Sequence, residues 1–145
     1  MEAAPWVGRT VLYDDQDRLF KAWYVGINVN FTDHYVPYPP GSPRGEGRLL
    51  PLQEYSTGYA TSHDGVRWDK PKLGLYEFEG SKENNICSRA WGSVLKDLAE
   101  EDPAKRYKFI SKGPDRDQYG IYRDIRLNFS SDGVHWNKGC LLYTS

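Results

Sequence analysis

Two pairs of aspartates stand out as groups able to do chemistry: Asp14 with Asp97, and Asp64 with Asp132. At neutral pH a carboxylate is a base, a nucleophile or a metal ligand, and a carboxyl forced into a dry site becomes an acid. The metal reading does not fit the spacing. Asp14-Asp15-Gln16-Asp17 lacks the glycine and the closing glutamate of a calcium loop. His34, His63 and His135 are singletons far apart, without the partners that a zinc site or a nucleophile triad needs. Cys87 and Cys140 are the two cysteines, and they form neither a disulfide framework nor a ligand pattern. The expectation is carboxylate chemistry, with no metal and no organic cofactor.

Which aspartates are free for that chemistry depends on the elements that hold them. Ser62-His63-Asp64-Gly65-Val66-Arg67-Trp68 returns as Ser130-Ser131-Asp132-Gly133-Val134-His135-Trp136, a shared Ser-x-Asp-Gly-Val-x-Trp. Each copy follows an apolar or aromatic run, and Asp-Gly after such a run signals a hairpin turn. Glycine supplies the positive φ, aspartate bonds its own backbone two residues on, and serine bonds back across the turn. The tryptophan then returns with a large face to bury. An active site is needed once and a turn in every unit, so Asp64 and Asp132 read as structural. They resemble the Asp-box of sialidases, one residue shorter between Asp and Trp. Trp68 and Trp136 read as core, and His63 and His135 as solvated turn neighbours.

The rest of the chain repeats in the same order. Residues 10–14 and 18–25 read as strands, 27–53 as a long Pro- and Gly-rich loop, 56–61 as a third strand, and 66–69 as the start of a fourth. After a connector the pattern restarts: Ser93-Val94-Leu95-Lys96-Asp97 echoes Thr10-Val11-Leu12-Tyr13-Asp14, and Arg106-Tyr107-Lys108-Phe109-Ile110 echoes Leu19-Phe20-Lys21-Ala22-Trp23. Residues 98–105 make a longer turn with room for one helical turn. Residues 119–129 read as the third strand of the second unit, and 134–137 start its fourth. Asp14 thereby matches Asp97, Lys21 matches Lys108, and Asp64 matches Asp132. Four-stranded units repeating along a chain are the mark of a β-propeller.

Composition agrees with an all-β chain. There are 11 Tyr and 5 Trp against 1 Met, with 14 Gly and 9 Pro. Flat aromatic rings suit a sugar surface as well as a sheet core. Charge is nearly balanced, 19 basic against 20 acidic residues, which argues against a nucleic-acid partner and against a membrane surface. No stretch has the length of a membrane-spanning helix, and residues 1–5 lack the charged and apolar regions of a signal peptide. Residues 140–145, Cys-Leu-Leu-Tyr-Thr-Ser, match the translation of a transposon mosaic end and read as an adapter-derived tail.

Several stretches carry a family resemblance. Gly58-Tyr59-Ala60-Thr61-Ser62-His63-Asp64-Gly65-Val66-Arg67-Trp68-Asp69-Lys70-Pro71 resembles a Tyr-Ala-x-Ser-x-Asp-Gly-x-x-Trp-x-Lys-Pro pattern. Leu73-Gly74-Leu75, Glu83-Asn84-Asn85-Ile86, Lys21-Ala22-Trp23-Tyr24 and Arg106-Tyr107-Lys108 add to it. Together they resemble bacterial proteins related to the glycoside hydrolase family 32 N-terminal domain. That superfamily is the five-bladed β-propeller of invertases, levansucrases and arabinanases. The resemblance implies partial blades of such a propeller: residues 9–70 a first blade, 71–92 a connector, and 93–139 an incomplete second blade.

The resemblance also implies a reaction. Three carboxylates project into the central funnel, and glycosidic bonds are cut between an acid and a base or nucleophile. Asp14 and Asp97, at the ends of equivalent first strands, are the candidate catalytic residues. Trp91 and Tyr38 are candidates for stacking on a carbohydrate substrate. The general acid lies in a third blade, so this stretch taken alone is expected to be inactive. The motif around Asp14 departs from the invertase pattern, and the expected Arg-Asp-Pro appears as Lys96-Asp97-Leu98. Arg123-Asp124 imitates the superfamily pair in a third strand and reads as a decoy. The competing expectation is a non-catalytic propeller that binds glycans or proteins. A transferase or phosphorylase would need a basic phosphate pocket, for which Arg89 alone is too little.

Overall fold

In the computed structural model, residues 5–28, 35–37, 49–51, 54–112 and 124–143 are described, with side chains for 10–26, 55–112 and 124–142. The described chain is all-β apart from one short 3-10 turn. The first sheet is a meander of β1 (Pro5–Asp14), β2 (Leu19–Asn28), β5 (Glu54–Ser62) and β6 (Ile86–Ser88). Within the long loop, β3 (Tyr35–Pro37) and β4 (Leu49–Pro51) pair with each other as a small ribbon. The second sheet runs β7 (Trp91–Lys96), β8 (Tyr107–Lys112), β9 (Ile125–Ser130) and β10 (Asn137–Tyr143). All neighbours are antiparallel. The helical turn expected in residues 98–105 is Pro103–Lys105, capped by the Asp102 carboxylate on the Ala104 N–H.

The fourth strand of the first sheet lies elsewhere than the sequence suggests. Residues 66–69 contribute a single bridge, Thr61 to Asp69, and the fourth strand is Ile86–Ser88. The Asp-Gly turn does not decide this, since the matching turn of the second unit leads straight into its fourth strand. The returning arm of the first turn leaves the sheet after one bridge, and Ile86-Cys87-Ser88, buried at every position, takes the edge. In the second sheet β10 begins at Asn137 and continues through Cys140 and Leu141, paired with Leu127 and Arg126. An edge strand needs only backbone groups to join its neighbour, so a short apolar run of any origin can pair there.

The two repeats match in register as well as in sequence. Leu12 faces Lys21 and Leu95 faces Lys108; Tyr13 faces Phe20 and Lys96 faces Tyr107. On the next strand Phe20 faces Ser62 and Tyr107 faces Ser130. The turns agree atom for atom. Ser62 Oγ accepts the Gly65 N–H at 2.9 Å and Asp64 Oδ1 accepts Val66 and Arg67 N–H at 2.8 Å each. Ser130 and Asp132 do the same for Gly133, Val134 and His135 at 2.9, 2.8 and 2.8 Å.

Because strand side chains alternate, each sheet has a front, carrying the first-strand Asp and second-strand Lys, and a back. The front of the first sheet (Leu12, Lys21, Trp23, Tyr59) packs on the back of the second (Val94, Lys96, Tyr107, Phe109). Between them lies the core of Trp23, Tyr59, Cys87, Val94, Tyr107, Phe109 and Val134. Trp23 is almost fully buried; its ring lies 5.4 Å from Tyr59 and 5.9 Å from Tyr107. Its indole N–H donates to the Gly133 carbonyl at 2.6 Å. Val94 N–H donates to Thr10 Oγ1 at 3.1 Å, and Thr57 Oγ1 donates to the Ala90 carbonyl at 2.7 Å. The units therefore stack front to back, and the chain passes from β6 to β7 through Arg89 and Ala90 alone.

Candidate functional site

Asp14 ends β1 and opens the turn into β2. Its Oδ1 accepts N–H groups from Gln16 at 3.1 Å and Asp17 at 3.3 Å, the local bonding by which an aspartate starts a turn. Three further donors converge on the same carboxylate. Lys21 reaches Oδ2 at 2.9 Å from β2. Lys96 reaches Oδ1 at 2.6 Å from β7, and the Tyr107 hydroxyl donates to Oδ2 from β8. Lys21 also meets Asp17 at 2.5 Å and the Tyr107 oxygen at 3.1 Å. The carboxylate is 1 % exposed. A charge buried this deeply is tolerable only when paired and hydrogen-bonded, and here it is both.

The titration of the cluster follows. Burial alone raises the Asp14 carboxyl, but hydrogen bonds from Lys96, Tyr107 and Lys21 outweigh it and hold it well below the usual carboxylate range. Burial works against the Lys21 ammonium, and Asp17 and Asp14 overcome it, so that group stays protonated far into alkali. Burial and donation to Asp14 push the Tyr107 phenol up to about 12. Asp14 is thus an anion with its oxygens occupied by five donors. It cannot donate a proton as a general acid, and it presents no free oxygen to a substrate.

Asp97 sits at the matching position of the second sheet in a thinner version of the same cluster. Lys108, the counterpart of Lys21, bonds Asp97 Oδ2 and also Glu100 at 2.9 Å. Asp97 Oδ1 accepts the Ala99 N–H at 3.0 Å, as Asp14 accepts that of Gln16. Its side chain is 30 % exposed. The hydrogen bond from Lys108, then that from the Ala99 N–H, lowers its carboxyl. Asp97 is therefore a partly accessible carboxylate held in its anionic form.

Among the described residues, the other expected site residues are not gathered around either aspartate. Trp91, on β7, has its ring 5.3 Å from that of Tyr55, with the Lys112 ammonium 5.2 Å from the indole centroid. Tyr38 and His34 lie outside the described residues. Asp124 pairs with Arg126 at 2.9 Å, while Arg123 is outside the described residues. His63 and His135 are exposed, and His135 Nδ1 lies 2.7 Å from Asp132 Oδ2. Burial acts upward on the Asp132 carboxyl, but the His135 and Val134 N–H groups and the His135 ring bring it down to about 2. Burial pushes the Cys87 thiol up to about 12, making it inert as a nucleophile. Among the described residues no group of three or more His, Cys, Asp or Glu could hold a metal ion. No helix of the described residues is long and apolar enough to cross a membrane.

Sequence reasoning matched Lys21 to Lys108 but did not find Lys96 or Tyr107. The periodic Asp-to-Lys spacing carried a signal. Lys96 and Tyr107 break the repeat, since Tyr13 and Phe20 hold those places in the first unit, so periodicity gave none. Compared with protein-family models, curated proteins and solved structures, the chain matches none of them.

Proposed function

We propose that the two sheets are consecutive blades of a β-propeller of the carbohydrate-active class, a five-bladed ring that hydrolyses glycosidic bonds with carboxylates in its funnel. The observation that supports this most is the front-to-back stacking of two four-stranded repeats in matching register. Successive blades of a ring pack in this way, each fourth strand passing the chain to the next first strand. The carbohydrate chemistry rests on the sequence resemblance. In this reading Asp97 is the carboxylate available as base, nucleophile or stabiliser. Asp14, also a candidate from sequence, is committed to the joint between blades, and the general acid comes from another unit. The carbohydrate substrate stacks on loop aromatics, with Trp91 and Tyr38 as candidates.

A second reading, a non-catalytic propeller that binds glycans, is favoured by the saturation of Asp14. One pair of assays separates the two. The two sheets, joined to the further units that supply the general acid, are incubated with arabinan, fructan and sucrose; reducing-sugar release and retardation in glycan-containing gels are measured. Release that disappears with Asp97→Asn supports the hydrolase. Retardation without release supports the binding module. Neither signal removes the carbohydrate reading.

A further inference from the structure

The front of the second sheet repeats the surface that, on the first sheet, lies buried against a neighbour. Ile110 stands where Trp23 stands and is 53 % exposed; Leu95 stands where Leu12 stands and is 59 % exposed. Leu127, paired with Ile110, takes the place of Tyr59 and is only half-buried. At the end of this apolar face Asp97 and Glu100 share the single ammonium of Lys108. In the first sheet, Asp14 and Asp17 share Lys21 in the same way, and the surplus negative charge is met by Lys96, with the Tyr107 hydroxyl beside it. The open face thus has the shape and the charge of one half of a joint whose other half is known.

We propose that the front of the second sheet docks a further four-stranded unit of this repeat. That unit has a lysine immediately before its first-strand acid and a tyrosine immediately before its second-strand lysine, as Lys96 and Tyr107 are placed. The ammonium and the phenol of that unit bond Asp97, and its turn glycine covers Ile110. The partner is not the first sheet of a second copy. That sheet's back offers Tyr13 and Phe20 at the two positions, a phenol and a bare ring 4.9 Å apart, with no ammonium. Lys96 and Tyr107 themselves are already engaged with Asp14. Head-to-tail contacts that do not close run on into filaments, and the mismatch at Tyr13 and Phe20 keeps copies of this chain from doing so.

The inference rests on the stacked-unit reading and is independent of the carbohydrate chemistry. Its test supplies the missing groups. Tyr13→Lys with Phe20→Tyr gives the back of the first sheet the lysine and tyrosine of the partner, and association is followed by sedimentation velocity across a concentration series. The double variant is expected to self-associate about tenfold more tightly than the unaltered chain, and Asp97→Asn in that background returns it to the starting level. Tyr13→Lys alone, at a half-exposed position, gives a smaller rise and serves if the double variant fails to fold. Equal association in variant and unaltered chain, or tighter association indifferent to Asp97→Asn, overturns the proposal. Lys96→Met tests the underlying stack separately. If it leaves the melting temperature unchanged, the joint itself is misread and the proposal falls with it. If it lowers the melting temperature while the Tyr13 variants gain nothing, only the docking proposal fails.

Discussion

The Tyr107 hydroxyl donates to the Asp14 carboxylate across the joint between the two sheets, although the residues stand 93 positions apart in the chain. That bond, with the Lys96 ammonium at 2.6 Å on the other oxygen, converts a turn aspartate into the fastener of two repeats. A buried ion pair does not by itself add much stability, because desolvation offsets the attraction. Removing the carboxylate is a different matter, since the Lys96 ammonium is then left buried without its counter-charge.

Asp14→Ala leaves the Lys96 ammonium in the dry joint without a carboxylate, and Lys21 with that of Asp17 alone. It is expected to cost about 3–5 kcal/mol, read from denaturant unfolding. Tyr107→Phe removes one donor and leaves the charges balanced, and its expected cost is about 1–3 kcal/mol. Asp97→Ala, at the open counterpart, has a far smaller effect. An Asp97 loss as large as that at Asp14 would contradict the contrast between closed and open clusters.

The same carboxylate contributes to the acid sensitivity of the fold. Its folded pKa lies below the ordinary 3.8. The stabilisation is therefore fully present above that value and is lost as pH falls from it towards the folded pKa. Thermal unfolding followed downward from neutral pH is expected to hold level to about pH 4 and then decline. In Asp14→Asn the starting stability is lower and that decline is shallower. An unchanged acid slope in the variant would place the acid sensitivity elsewhere.

The two turn glycines separate local strain from tertiary clash. Gly65 and Gly133 both have positive φ, 74° and 80°. A Cβ on Gly65 would meet the Phe20 ring at 3.5 Å, an ordinary contact, whereas one on Gly133 would lie 2.6 Å from Trp23. Gly65→Ala is expected to lose about 1–2 kcal/mol from the left-handed backbone. Gly133→Ala adds the displacement of Trp23 and its bond to the Gly133 carbonyl, so the expected loss is larger by about 1–3 kcal/mol. Equal losses by chemical denaturation would mean that the second turn does not seat Trp23.

The repeat tryptophans part company in the same way. Trp136 packs on the core, its ring 5.1 Å from Phe109, and Trp68 is half-buried outside that cluster. Trp136→Ala is expected to cost about 3 kcal/mol, with Trp68→Ala well below it. Melting curves of the two variants, compared under one set of conditions, check the order.

The all-β class, the two repeated units and the Ser-x-Asp-Gly turns were legible in the sequence, because each depends on neighbours within a few residues. Alternation, a glycine with positive φ and a side chain bonding its own backbone are local physics. So was the pairing of Asp14 with Asp97 and of Lys21 with Lys108, which the strand register reproduces. The fourth strand of the second unit was legible too, starting at Asn137. That of the first was not, because edge pairing is settled by which segment the sheet can bury, and Ile86–Ser88 lies far along the chain from the hairpin it joins. Nor was the role of Asp14. Sequence presents the same aspartate in both units, but whether its carboxylate is open or sealed depends on Lys96 and Tyr107. Those groups come from the opposing sheet and interrupt the repeat. Only the packing of one front on one back decided that the first aspartate is a fastener, while the second keeps an open face.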